Sequence, residues 1–199
     1  MSQYINLDTL SKPQVRTLVR SQRASLSTKA QVVAEYSLAK QARACHRLQQ
    51  AKRVLSYAPF AGEISPTRLI KKIATKHIFH PRITHFRHCK MHLYCASKID
   101  TLNKYGIKEP QAIGAPTPVN RMDVILLPLV AFDRDGNRIG MGRGYYDRAL
   151  QSLAHQPSTR PYLIGIAHHF QELKSCQAAA WDVPLDAILT DQEFISITH

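Results

Sequence analysis

Apolar side chains recur every three or four positions in several stretches of the chain, and this spacing predicts helices. A first helix is predicted after Ser11, a second from about residue 28 and a third after Ser65. Serine is favoured just before a helix, and proline, present here as Pro13 and Pro66, suits the first turn. The first third of the chain is therefore expected to be mainly helical.

Other stretches are short, apolar and bounded by turn residues, which predicts strands. The clearest is "DVILLPLVAF" (123–132), whose almost wholly apolar sequence is typical of a strand covered on both faces. Further strands are predicted within 53–60, 77–96, 161–167 and 187–198. Because strands alternate with helices, we expect an α/β fold: a three-layer α/β/α sandwich with a mainly parallel sheet, forming a single domain over 1–199.

Composition narrows the class of protein without changing this picture. Hydrophobic residues make up 44% and charged residues 21% of the 199 positions, as in ordinary globular proteins, which argues against a disordered or fibrous chain. The sequence has no apolar run long enough to span a membrane, and its start lacks the layout of a secretory signal. We therefore expect a cytoplasmic monomer whose four cysteines are free thiols.

Charge is distributed unevenly along the chain. Residues 1–108 carry twenty Lys or Arg against four Asp or Glu, whereas residues 109–199 carry seven against ten. This asymmetry favours an anionic partner for the first part: nucleic acid, membrane lipid or a polyanionic small molecule. Solvated basic helix faces are the alternative interpretation, and charge alone does not decide between them.

The stretch "IGMGRGYYDR" (139–148) holds three of the eight glycines within five positions. Closely spaced glycines allow successive backbone N–H groups to turn towards one anion. The stretch follows the predicted buried strand and precedes a helix predicted from about Tyr145 to His155, whose positive end adds further N–H groups. Arg138 and Arg143 supply fork-shaped donors that suit phosphate oxygens. A phosphate-binding loop is favoured over a purely structural turn.

Asp147 stands in the first turn of that predicted helix, where an acidic residue has two possible roles. It can stabilise the positive helix end, or it can bind Mg²⁺, which takes one or two protein carboxylates together with water and phosphate oxygens. The second role gains support if the loop binds a nucleoside triphosphate.

The segment "PLVAFDRDGNRIGMGRGYYDRAL" resembles the signature of the 5-formyltetrahydrofolate cyclo-ligase family. Further pieces recur in the same order along the chain: Lys12 with Arg16, "YAPFAGEIS", "HPRI" with Met91, "YGIKEP" and "WDVPLDAILT". The resemblance spans nearly the whole chain, and the segment between His77 and Lys104 matches poorly.

The resemblance implies an ATP- and Mg²⁺-dependent conversion of 5-formyltetrahydrofolate to 5,10-methenyltetrahydrofolate, with release of ADP and phosphate. Phosphorylation turns the formyl oxygen into a good leaving group, N10 attacks the formyl carbon, and phosphate departs. This chemistry needs in-line positioning and neutralisation of charge more than covalent help from the protein. The basic first part of the chain would then attract ATP and the glutamates of folate.

The resemblance also implies roles for individual residues. Arg138 and Arg143 would stabilise charge on the transferring phosphoryl group, and Arg143 stands where many relatives have Gly or Lys. Asp147 would bind Mg²⁺, with Asp182 a second candidate ligand. The expected ATP contacts are Lys12, Arg16, Arg138, Ile139, Gly140, Met141, Gly142, Arg143, Gly144, Tyr145 and Tyr146. The expected folate contacts are Glu63, Met91 and one of the two tyrosines, with Tyr145 assigned here.

Three alternatives stay open at this point. A zinc site is conceivable because the segment 77–95 contains ligand-type side chains, although their spacing follows no standard zinc motif. These are His77, His80, His85, His88, Cys89, His92 and Cys95. A basic nucleic-acid-binding protein is a second alternative, given the sequence pI near 9.9. An enzyme of the same scaffold with a different substrate is a third. The resemblance favours the ligase, with no nucleic acid and no membrane partner.

Overall fold

A computed structural model of the chain describes residues 10–73, 77–151, 153, 160–177, 179 and 182–198. The described helices are α1 (Lys12–Ala24), α2 (Thr28–Gln41), α3 (His46–Gln50), α4 (Thr67–Lys72) and α5 (Tyr145–Gln151). The described strands are β1 (Arg53–Leu55), β2 (His77–His85), β3 (Lys90–Cys95), β4 (Thr101–Leu102), β5 (Lys108–Glu109), β6 (Val124–Pro128), β7 (Ala131–Phe132), β8 (Arg138–Ile139), β9 (Tyr162–Ala167), β10 (Ala187–Thr190) and β11 (Phe194–Ser196).

Seven of these strands form one sheet in the order β11-β10-β9-β6-β1-β2-β3. The five inner strands are parallel, and the two outermost strands, β11 and β3, are antiparallel to their neighbours. The chain builds the sheet outwards in both directions from the pair β1 and β6. In such sheets, ligands bind at the carboxyl ends of the strands where the order reverses.

Helices cover both faces of the sheet. Alternate residues of the inner strands point to opposite faces, so Val54 packs with α2, α3 and α4 whereas its neighbour Leu55 packs with Leu150 of α5. A separate apolar cluster joins Val15 and Val19 of α1 to β7 and β8. The predicted three-layer α/β/α sandwich with a mainly parallel sheet is therefore confirmed.

The segment predicted as one strand over 123–132 is in fact divided between two sheets. Strand β6 ends at Pro128, which has no N–H to donate to a neighbouring strand. The chain then leaves the main sheet, and β7 pairs with β8 in a separate two-stranded hairpin. The prediction that the glycine-rich stretch directly follows the buried strand is thus wrong, because this hairpin intervenes.

Smaller differences concern the ends of helices and one loop. Helix α4 is preceded by Pro66 rather than Ser65, whose Oγ accepts a hydrogen bond from Thr67 N–H at 3.3 Å. The region expected to be irregular before β6 contains the short hairpin β4–β5 and a 3₁₀ turn over Val119–Arg121. The predicted end of the fourth helix, near His155, lies outside the described residues.

Candidate active site

Three segments meet at the carboxyl edge of the sheet, where the parallel strands end. The β1 loop (56–66) follows β1, residues 129–144 follow β6, and residues 168–172 follow β9. This edge of the sheet includes the point at which the strand order reverses, where ligands commonly bind. Both Glu63 and the glycine-rich stretch belong to segments at this edge.

The glycine loop (140–144) connects β8 to α5. Gly142 and Gly144 have φ angles of +86° and +71°, which L side chains rarely adopt. The backbone N–H groups of residues 141–144 donate to no other described residue. Such a run of free donors is suited to anion binding.

Helix α1 lies against the glycine loop. Arg16 Nε donates to the Gly140 carbonyl at 2.8 Å, and a Cβ at Gly142 would lie 3.3 Å from Arg16 Cζ. Lys12, one helical turn earlier, is half-buried on the same side of α1. The structure thus brings Arg16 to the glycine loop, and its contact with ATP stays a prediction.

Arg138 and Arg143 have different environments. The Arg138 side chain is 7% exposed, and its guanidinium donates to the Val183 carbonyl at 2.5 Å and to Asp147 Oδ1 at 2.6 Å. Arg143 is exposed, with its guanidinium carbon 5.2 Å from the centre of the Tyr105 ring. Arg138 is held in place, whereas Arg143 faces solvent at the mouth of the site.

The two adjacent tyrosines point in different directions. Burial and the neighbouring Tyr105 raise the pKa of Tyr145 to about 12. Tyr146 packs against the core beneath α5, and burial, followed by the nearby Glu63 carboxylate, raises the pKa of its phenol. Tyr105 was quoted in the recurring "YGIKEP" piece but assigned no role, and its position beside both Arg143 and Tyr145 makes it part of the site.

Glu63 is buried in the β1 loop. Its Oε2 accepts the Phe60 N–H at 3.0 Å, and its Oε1 lies 3.9 Å from Arg23 Nη1. Burial raises the pKa of Glu63 to about 7, with Arg23 and the Phe60 N–H acting in the opposite direction. A carboxyl group in this environment exchanges protons near neutral pH, which is useful in catalysis.

Arg23 is a residue that sequence reasoning missed. It is 1% exposed and continues the buried stripe of Val15 and Val19 at intervals of four residues. That spacing was a signal in the sequence, because an arginine on the buried face of a helix needs partners inside the protein. Its partners, Gln171 and Glu63, come from distant parts of the chain.

The two candidate metal ligands differ in availability. Asp147 is 49% exposed and beside the glycine loop, with one oxygen bonded to Arg138. Asp182 Oδ2 accepts the Ala179 N–H at 2.9 Å and thereby closes a local turn. One exposed carboxylate next to a predicted phosphate-binding loop fits what Mg²⁺ requires, so Asp147 suits this ion better than Asp182.

Met91 lies at the start of β3, opposite Ile83, and is partly exposed. Strand β3 packs against α5, the helix that begins with the two tyrosines. Contact between Met91 and folate stays a prediction.

Within the described part of the chain, one group of three possible metal ligands converges: His169, Glu172 and Glu193. Arg134 bridges the two glutamates, with distances of 2.7 and 2.6 Å, so this group is a salt-bridge network. The histidines and cysteines of 77–95 form no such group among the described residues. No described helix combines the length and apolar character needed to cross a bilayer.

Comparison with known proteins gives a consistent set of relatives. The profile of the 5-formyltetrahydrofolate cyclo-ligase family matches residues 8–191. The chain is 36% identical over 188 residues to the 5-formyltetrahydrofolate cyclo-ligase of Haemophilus influenzae, covering 92% of this chain and 99% of that protein. It is 33% identical over 159 residues to the Escherichia coli K12 protein of the same name, covering 71% and 86% respectively.

Solved structures show the same relationship. The 5,10-methenyltetrahydrofolate synthetase of Aquifex aeolicus superposes with a TM-score of 0.79 at 26% identity, covering 96% of this chain and 94% of that chain. The Mycoplasma pneumoniae 5,10-methenyltetrahydrofolate synthetase superposes with a TM-score of 0.70 at 25% identity, covering 92% and 100%.

Proposed function

The chain belongs to the 5-formyltetrahydrofolate cyclo-ligase family, and on this premise we propose that it converts 5-formyltetrahydrofolate to 5,10-methenyltetrahydrofolate with Mg²⁺ and ATP, releasing ADP and phosphate. We propose further that the protein acts as a monomer.

One observation carries the proposal: backbone N–H groups of the glycine loop that have no partner among the described residues lie among three arginines, at the same edge of the sheet as the buried Glu63 carboxyl group. Arg16 bonds the loop directly, Arg138 is anchored beside it, and Arg143 belongs to it. The positive groups suit a triphosphate, and the Glu63 carboxyl group suits the ring N–H groups of a neutral, polar ring system.

The reaction needs the terminal phosphoryl group of ATP in line with the formyl oxygen. Transfer breaks the bond between that group and ADP and forms a bond to the formyl oxygen. N10 then attacks the formyl carbon and loses its proton, and the carbon–oxygen bond breaks as phosphate leaves. The loop donors and Arg138 hold the phosphates, while Arg143 neutralises charge on the group in transfer.

Mg²⁺, when bound, neutralises phosphate charge, and Asp147 is the residue we assign to hold it, with Asp182 a weaker candidate. Glu63 is assigned to the folate side of the site, where its carboxylate accepts hydrogen bonds from ring N–H groups. Tyr145, whose phenol lies near that of Tyr105, is assigned to pack against the flat ring of the folate.

The test is to mix the protein with 5-formyltetrahydrofolate and Mg-ATP and to follow the absorbance of the methenyl product. We expect product only when ATP and Mg²⁺ are both present, with one ADP released for each ring closed. Product formed equally without ATP, or no product with all components present, would overturn the proposal.

A further inference from the structure

We propose that Arg23 is a positioning residue for Glu63: through it, helix α1 fixes the Glu63 carboxyl group at the folate side of the site and favours its ionised form. This inference rests on the proposed function, because it assumes that Glu63 faces the substrate.

The guanidinium nitrogens of Arg23 contact both the surrounding protein and Glu63. Its Nε donates to Gln171 Oε1 at 3.2 Å, and its Nη2 donates to the Leu129 carbonyl. Its Nη1 has no hydrogen-bond partner among the described residues and lies 3.9 Å from Glu63 Oε1. Two nitrogens therefore anchor the group, and the third is left for the carboxylate and whatever binds beside it.

The anchor is itself rigid. Gln171 Oε1 accepts the His168 N–H at 3.0 Å as well as Arg23 Nε. Gln171 Nε2 donates to the carbonyls of Leu129 and Val130 at 3.0 and 2.7 Å. The segments that follow β6 and β9 thus fix the Gln171 amide, and this amide fixes the guanidinium.

Arg23 also fixes the loop that carries Glu63. Gly62 has a φ of +77°, and a Cβ there would lie 2.6 Å from Arg23 Cβ. The Gly62 carbonyl is bonded to His168 Nε2 at 3.1 Å. Residue 62 is therefore pressed between α1 and the end of β9, which leaves the adjacent Glu63 little freedom to move.

Few charged or titratable groups face Glu63. Arg23 approaches from α1, Tyr146 from α5 and Tyr57 from the β1 loop itself, with His168 behind Gly62. Burial raises the pKa of both phenols and lowers the pKa of the His168 imidazole, so these groups are neutral at neutral pH. Arg23 carries the one full charge among these described groups, and its removal leaves only the Phe60 N–H to oppose the effect of burial on the pKa of Glu63.

An ionised Glu63 accepts hydrogen bonds from the folate, and it can take the proton that N10 loses as the ring closes. A protonated Glu63 accepts hydrogen bonds more weakly and cannot take that proton. Loss of the Arg23 charge should therefore act as a shift in pH dependence, which a purely structural arginine would not produce.

The experiment compares Arg23→Gln and Arg23→Lys with the exposed control Arg20→Gln on the same helix, using kcat/KM for 5-formyltetrahydrofolate from pH 5.5 to 9.5. For Arg23→Gln we expect the acidic limb of the kcat/KM profile to move to higher pH by about one unit. At pH values below this limb kcat/KM should fall by about tenfold, and at high pH it should recover. Arg23→Lys and Arg20→Gln should keep the original limb. A uniform loss at every pH, or an unmoved limb in a folded Arg23→Gln protein, would overturn the inference.

Carbon-13 NMR titration of glutamate carboxyls provides a second readout without activity. The resonance missing from Glu63→Gln identifies Glu63, which should titrate near neutral pH in the unsubstituted protein and higher in Arg23→Gln. If Arg23→Gln does not fold, Arg23→Lys takes its place, because lysine keeps the positive charge over the pH range in which Glu63 titrates. A Glu63 titration that is the same in Arg23→Lys and in the unsubstituted protein supports the role of charge, and a large shift contradicts it. Failure of the unsubstituted protein to make product would refute the proposed function and leave this titration to decide the Arg23 contact.

Discussion

At the scale of single residues, the contact between Arg138 and Asp147 joins a nearly buried cation to a half-exposed anion. An ion pair with one exposed partner adds little to stability, so its value lies in where it holds the two groups. The arginine side chain is fixed beside the glycine loop, and the carboxylate keeps an open side.

We therefore expect Arg138→Ala, which removes a transition-state donor, and Asp147→Ala, which removes the proposed Mg²⁺ ligand, each to lower kcat by about 100-fold. The free energy of unfolding should fall by about 1 kcal/mol or less for Asp147→Ala, and by about 1–2 kcal/mol for Arg138→Ala, which also loses the Val183 contact. Steady-state kinetics with Mg-ATP and urea unfolding measure the two effects. Full activity in both variants would refute the assignment of the loop.

Gly142 offers a second residue-scale prediction. Gly142→Ala must hold an alanine at positive φ and press on Arg16, so we expect a loss of stability of about 1–2 kcal/mol and a roughly tenfold rise in KM for ATP. Gly114→Ala is the matched control, because Gly114 has a φ of +75° with nothing within 4 Å of its added Cβ. It should lose similar stability and keep its KM. Equal KM values for both variants would argue against a role of the loop in nucleotide binding.

At the scale of elements, α1 connects the two halves of the site. It touches the glycine loop through Arg16 and the β1 loop through Arg23, and its apolar side rests on the β7–β8 hairpin. A shift of this one helix would change the phosphate and folate sides together.

Removing the contact between Arg16 and the glycine loop should weaken the binding of ATP and leave the binding of folate unchanged. Because a hydrogen bond from a charged group is worth about 1.5–3 kcal/mol, Arg16→Gln should raise KM for ATP by about 10- to 100-fold and leave KM for the folate unchanged. Initial rates at varied ATP and folate give both constants, with Arg20→Gln as the exposed control on α1. A parallel rise in both KM values would instead indicate that α1 has moved.

Elements dominated by local sequence were predictable, and those dominated by distant contacts were not. β6 and β9 are continuous apolar runs with no competing interpretation. The β7–β8 hairpin was missed although "DRDGN" (133–137) carries an Asp-Gly pair typical of tight hairpin turns. The surroundings of Arg23 could not be predicted, because Gln171 lies 148 residues further along the chain.

The same holds for the site. The glycine loop was predicted from the spacing of its glycines, whereas Arg16 and Glu63 were found through the resemblance to a family, and the structure brings all three to one edge. The sequence does not tell which of Asp147 and Asp182 is the better metal ligand. The difference between them lies in their side-chain contacts, which the spacing of residues in the sequence does not reveal.

At the scale of the whole molecule, Glu63 links folding to pH. The pKa of Glu63 rises from 4.5 to about 7 on folding. Between these values the folded protein keeps a proton that the unfolded chain has lost, so the free energy of unfolding falls as pH rises, by up to about 1.4 kcal/mol per unit. This contribution is complete below pH 4.5 and lost above about pH 7.

Glu63→Gln should remove that slope, because glutamine resembles the protonated side chain and does not titrate. Urea unfolding at pH 5, 6, 7 and 8 should give a flatter profile than that of the unsubstituted protein. Asp135→Asn, which removes an exposed carboxyl group, should reproduce the original profile. Parallel profiles for Glu63→Gln and the unsubstituted protein would contradict the buried titration.

The net charge of +13 also acts on the whole molecule. If the basic first part attracts the glutamates of folate, substrates with more γ-linked glutamates should have a higher kcat/KM at low salt, and the difference should shrink in 0.5 M salt. Kinetics with mono- and polyglutamyl 5-formyltetrahydrofolate at several ionic strengths measure this. Equal values at low salt would refute such attraction.

The bond between Arg23 and Gln171 also has a consequence for biosynthesis. A ribosome adding 5–20 residues per second needs roughly 7–30 s to pass from one position to the other. Throughout that interval helix α1 has been made but Gln171, which holds its Arg23 in place, has not. On the proposed function, the nascent protein is therefore not yet expected to bind ATP and folate together. Catalytic competence should therefore arise only after Gln171 has been made and has reached Arg23.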